Sequence, residues 1–156
     1  MSMRRLLVPM AMLCVALGNA RAQATPVGRW RTVSDVDGKP AAIIEVIERD
    51  GTLQGVVRSL LDSSATADER CEHCEGERHN QPIVGMTILW NMRRDGDEWR
   101  GGAILAPDSG HIYKATLRLA SDGAQLIVHG YIGISLFGRS QTWYREGSPA
   151  VAPRSP

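Results

Sequence analysis

Four side chains within nine residues carry the most evident chemistry in this chain: Cys71, His73 and Cys74 in the run Cys71-Glu72-His73-Cys74, and His79 five residues beyond. Two thiols and two imidazoles are donors enough for a tetrahedral zinc site, so Cys71, His73, Cys74 and His79 form one candidate metal set. Strong zinc signatures bring a second, separated ligand pair, and none follows here. A redox dithiol is another reading, but such thiols are activated at a helix N-terminus, and no helical period surrounds these. In an oxidising compartment the pair reads first as a structural disulfide between Cys71 and Cys74, with no metal bound. Closing so small a ring constrains the unfolded chain by only about 2 kcal/mol. Its expected task is to pin the surrounding loop, and its loss is expected to cost little.

A second constellation lies near the C-terminus. At spacing two, Arg139, Gln141, Trp143 and Arg145 share a face, so an inward Trp143 carries Arg139 and Gln141 inward with it. Buried charge needs a partner. In one reading Arg139 sits at a wet mouth and holds the carboxylate or phosphate of an amphipathic ligand. Trp90, Trp99, Tyr113, Tyr131, Gln141 and Trp143 then complete the site's walls. In the other, Arg139 is paired with an acidic side chain or backbone carbonyls. No catalytic set assembles elsewhere. Glu45, Glu48, Asp95, Glu98 and Asp108 are scattered over turns and strand faces, and His111 and His129, on neighbouring strands, have no serine or acid at an interpretable spacing. Neither an enzymatic activity nor a cofactor is read from these residues.

The elements that would position these groups are β-strands. Tyr113, Ala115, Leu117 and Leu119 alternate with Lys114, Thr116 and Arg118, as a half-buried antiparallel strand requires. Asp50-Gly51, Asp108-Ser109-Gly110 and Ser121-Asp122-Gly123 place glycine where a short hairpin needs positive φ. Strands are expected over 27–33, 41–49, 52–60, about 86–92, 99–105, 111–119, 125–131 and 138–145. Met86, Ile88, Trp90 and Met92 form the inner face of the fourth, and Trp99, Gly101, Ala103 and Leu105 that of the fifth. Glycines 101, 102, 130 and 133 are candidate bends. Residues 62–85 are polar and aperiodic and read as a long Cys-containing surface loop. Eight antiparallel strands in simple succession suit an up-and-down barrel without substantial helix, which leaves no exposed sheet edge.

The N-terminus sets the expected compartment. Arg4 and Arg5 precede the apolar run Leu6 to Leu17, and Gly18-Asn19 breaks it ahead of two small-x-small sites ending at Ala22 and Ala24. That is the pattern of a secretory signal peptide over residues 1–24, too short for a membrane span. Its removal takes Arg4, Arg5 and Arg21 and changes 18 basic against 17 acidic residues into 15 against 17. Such a balance gives no basic footprint for nucleic acid. A single barrel over 25–146 and a disordered Pro-rich tail over 147–156 account for the rest.

Gly28-x-Trp30, Asp50-Gly51, Cys71-x-x-Cys74, Gln81-Pro82-Ile83-x-Gly85, Trp99-x-Gly101-Gly102, Pro107-x-x-Gly110, Tyr113 and Gly138-Arg139-x-Gln141-Thr142-Trp143 occur in this order. Together they resemble the bacterial domain of unknown function 2147 family. The resemblance implies an exported, periplasmic or secreted, lipocalin-like barrel of the calycin type, and no particular activity. One departure is Ala106, where the pattern leads us to expect an acid before Pro107; it weakens any cation-binding reading of that turn. In lipocalin-like barrels a Gly-x-Trp such as Gly28-x-Trp30 meets a basic residue of the last strand, here Arg145, and closes the barrel base through a cation–π contact. Three function classes stay open: a binder of a small hydrophobic or amphipathic molecule, a filled barrel serving as an envelope structural or interaction protein, and a cysteine-loop metal or redox protein.

Overall fold

Alternation of apolar and polar residues, broken by Gly-containing turns, makes this chain fold as a meander of short strands. The computed structural model describes residues 24–62, 65–66 and 68–147. Residues 1–23 of the expected signal peptide and the expected tail from 148 lie outside the described residues. The strands are β1 (Gly28–Val33), β2 (Pro40–Arg49), β3 (Thr52–Leu60), β4 (Thr87–Asp95), β5 (Glu98–Ala106), β6 (His111–Leu119), β7 (Gln125–Tyr131) and β8 (Gly138–Arg145). Each pairs antiparallel with its neighbour in sequence, and β8 returns to β1, closing an eight-stranded up-and-down barrel. A single turn of 3-10 helix, Gly76–Arg78, is the one helical element among the described residues. No helix there is long and apolar enough to cross a membrane. The β2–β3 hairpin turns on Asp50 and Gly51, both at positive φ (51° and 71°), as a two-residue I′ turn demands.

The two ends of the barrel differ. At the end holding the β2–β3, β4–β5 and β6–β7 turns, each strand contributes one buried side chain to a solid layer: Trp30, Val46, Leu53, Met92, Trp99, Leu117, Leu126 and Trp143. Three tryptophans supply the bulk that fills a barrel of this size. Beneath the layer the Arg145 guanidinium carbon lies 4.3 Å from the centre of the Trp30 ring. Arg145 also donates to the carbonyls of Gly123 (2.7 Å), Val27 (3.1 Å) and Thr25 (2.9 Å), and the Trp30 indole donates to Pro26 O at 2.7 Å. Burial lowers the Arg145 pKa from its ordinary value, yet guanidinium remains a cation. Gly28 is needed for this contact. Its φ is +136°, and a Cβ there would meet Arg145 Nη1 at 2.7 Å.

In β4 and β5 register shifts alter the inner faces expected for them. In β4 the register against β3 shifts twice, and Asn91 takes φ +58°. This bulge brings Leu89 into the core beside Met86, Ile88 and Met92 of the expected row, and leaves Trp90 half-buried outside it. In β5, Gly101 sits at φ +79° and the register against β6 shifts between Trp99 and Gly102. Gly102 and Ile104 then continue the inner face in place of Gly101 and Ala103, opposite Ala115 and Tyr113. An extra residue on one strand reverses the facing of everything after it.

Candidate ligand-binding cavity

Above the packed layer the barrel is hollow. The cavity measures about 940 Å³ and opens at the end that carries the β1–β2, β3–β4, β5–β6 and β7–β8 connections. Its walls are mainly aliphatic, with Ile44, Val57, Ile88, Ile104 and Val128 below and Tyr113 on one side. That size and character fit a small-molecule site. Polar groups gather at the mouth. Asp35, from the β1–β2 loop, accepts from Arg139 Nη2 at 2.9 Å and from the Gln141 amide. Gln141 Oε1 in turn accepts from the Trp143 indole N–H at 3.3 Å. One hydrogen-bonded chain therefore links the packed layer through Gln141 to the rim.

The β1–β2 loop that carries Asp35 is bonded within itself. Ser34 and Lys39 join through their backbone (2.8 Å), Gly38 N–H donates to Ser34 O (2.9 Å), and Lys39 Nζ lies 3.0 Å from Asp37. Hydrogen bonds from Lys39, and secondarily from Ser34, lower the Asp37 pKa. The β7–β8 loop is apolar and open to water: Ile132, Ile134, Leu136 and Phe137 are all exposed. His129 holds it, one ring nitrogen 2.8 Å from Ser140 Oγ and the other 2.9 Å from Ser135 O. His129 pairs with Thr116 across β6–β7 and His111 with Ala106 across β5–β6, so the two histidines do not meet.

The structure distributes the sequence-derived ligand set unevenly. Tyr113, Tyr131, Arg139 and Gln141 line the cavity; Trp90, Trp99 and Trp143 do not. Trp99 and Trp143 belong to the packed layer because they lie near the closed ends of their strands. Trp90 lies beneath Arg78, whose guanidinium carbon is 4.6 Å from the ring centre. Arg139 has an acidic partner, as one of its two readings required. Reasoning from sequence missed Asp35, Val36, Ile104 and Phe137. Asp35 and Gln141 are 106 residues apart, and nothing local in the sequence joins them.

The long loop also shapes the rim. Cys71 and Cys74 are joined by a disulfide, so neither offers a thiolate to the candidate metal set. His79 Nδ1 is 3.0 Å from Cys74 O, and no three His, Cys, Asp or Glu side chains converge among the described residues. The disulfide is not peripheral: Cys71 is 0% and Cys74 3% exposed, packed in the core cluster. The expectation that its loss costs little is therefore revised. Converting both to alanine adds lost sulfur burial to about 2 kcal/mol of ring closure, for an expected total of about 2–3 kcal/mol. Urea unfolding of the oxidised protein and the double variant measures it.

A family model described as "Uncharacterized protein conserved in bacteria (DUF2147)" matches residues 28–145. Comparison with curated proteins gave no match. Among solved structures the chain is similar to one titled "Protein HP1028 from the human pathogen Helicobacter pylori belongs to the lipocalin family". Identity is 19%, coverage is 78% of this chain and 83% of that one, and the TM-score is 0.68. The likeness is one of fold, and it makes the barrel lipocalin-like.

Proposed function

The chain belongs to the DUF2147 family of bacterial proteins, and from that premise we propose that it is an exported barrel that binds a small apolar or amphipathic molecule. The observation that carries this reading is the aliphatic cavity of about 940 Å³ above a solid base. A barrel filled by its own side chains would have no such space. The aliphatic walls favour a flexible hydrocarbon portion over a flat polar one. Polar groups confined to the mouth favour a head group held at the rim. The leader at 1–24, with Arg4 and Arg5 ahead of its apolar run, supports export to the periplasm or beyond.

Titration with N-phenyl-1-naphthylamine, a neutral apolar fluorophore, tests the reading. Native protein is expected to raise its fluorescence saturably at one site. Ile104→Trp places an indole in the cavity from the β5 wall and is expected to weaken binding at least roughly tenfold, the equivalent of about 1.4 kcal/mol. Unchanged affinity in a folded Ile104→Trp protein places the fluorophore elsewhere and removes the proposal.

A further inference from the structure

The seam between β1 and β8 is paired only at its lower end. Trp30 faces Arg145 and Arg31 faces Tyr144, and there the ladder stops. By contrast β7 and β8 keep register from the Gln125–Tyr144 pair to the Tyr131–Gly138 pair. Even the irregular β3–β4 seam keeps backbone bonds up to Val57, which bonds Met86 and Gly85. The cause lies in β1. Its register against β2 shifts between Arg31 and Val33, and the Thr32 hydroxyl bonds the Ala42 carbonyl of β2 at 3.4 Å. Such a bulge bends a strand, and beyond it β1 and β8 share no further paired residue.

Side chains join the two strands along this unpaired stretch: Asp35 reaches from one side to Arg139 and Gln141 on the other. Each edge of the unpaired stretch also carries an apolar side chain that both lines the cavity and meets water. Val36, beside Asp35, is 97% exposed, and Phe137, directly before β8, is 71% exposed. We infer that this seam is a lateral portal, through which the aliphatic chain of an amphiphile passes between Val36 and Phe137, and which Asp35 latches through Arg139 and Gln141. The inference rests on the cavity being a binding site. Opening breaks no backbone ladder. The β1–β2 loop is bonded within itself and swings as one piece, while β7 holds β8 in place. The latch is a weak one, since Arg139 is 69% exposed and an ion pair in water is easily exchanged.

Stopped-flow binding of N-phenyl-1-naphthylamine tests the portal. Asp35→Ala is expected to raise association and dissociation rates together, by about two- to fivefold, as loss of an exposed ion pair allows, with Kd almost unchanged. Asp35→Cys combined with Arg139→Cys, in a Cys14→Ser background and joined by a short bismaleimide, is expected to slow both rates at least roughly tenfold. The linked protein carries an extra covalent tie, so it serves as the test even where Asp35→Ala loses stability. Normal rates in the linked protein, with the fluorophore still bound in the cavity, overturn the portal and leave the binding reading intact. A native protein that takes up no fluorophore overturns both.

Discussion

Trp30→Ala is expected to remove about 3–5 kcal/mol of stability, the range for deleting a buried tryptophan. The indole is 0% exposed, in a layer to which every strand contributes. Its loss also strips Arg145 of the ring beneath which it lies and leaves Pro26 O without its donor. Domains of this kind have about 5–15 kcal/mol in total, so the variant is expected to unfold at markedly lower urea. Trp90→Ala is the control. Trp90 is half-buried beneath the Arg78 side chain at the edge of the core, so its loss is expected to cost under about 2 kcal/mol. Equal losses in the two variants, measured by urea unfolding, contradict the keystone role of the closed end.

Gly110→Ala is expected to be comparably damaging although it adds one methyl group. Gly110 has φ +72°, and a Cβ there would lie 1.9 Å from the backbone oxygen of His73 and 2.4 Å from its carbonyl carbon. Neither obstacle is a flexible tip. The turn Pro107–Gly110 and the disulfide loop are in direct contact, with Cys71 Sγ 3.2 Å from Pro107 O. A left-handed conformation costs a non-glycine residue about 1–3 kcal/mol and overpacking about the same again. The loop is expected to detach, exposing Cys71 and Cys74. Faster reduction of the disulfide by dithiothreitol, together with a lower unfolding midpoint, reports that detachment. Retained native reduction kinetics argue that the loop is held elsewhere.

Much of the barrel was legible because each strand carries its own period and most turns their own glycine. Asp50-Gly51 gave its hairpin outright, and the alternation of Tyr113 to Leu119 matched the face that β6 buries. What stayed hidden was every consequence of an extra residue. Asn91 is a residue that tolerates positive φ and is uncommon within strands, but a single such residue in an otherwise alternating run does not say that Leu89 turns inside and Trp90 outside. The cavity was half legible for a similar reason. Arg139 and Gln141 were named by period two, and Tyr113 and Tyr131 as aromatic walls, but neither facing nor residue type gives height along the barrel. Height separates Trp143 and Trp99, in the plug, from Gln141 and Tyr113, in the wall. Asp35 was invisible because its partners are remote in sequence.

The plug has a kinetic meaning as well. A layer that takes one side chain from each of eight strands has no stable fraction: seven strands without the eighth leave Trp30 or Trp143 facing water. The pairing that completes it joins the first strand to the last, through Trp30 and Arg145, across almost the whole described chain. Contacts of such separation in sequence form late and slowly, because closing the intervening chain costs entropy before anything is gained. Hairpins such as β2–β3 assemble first, and the rate of folding is governed by the single event in which the two ends of the meander find each other.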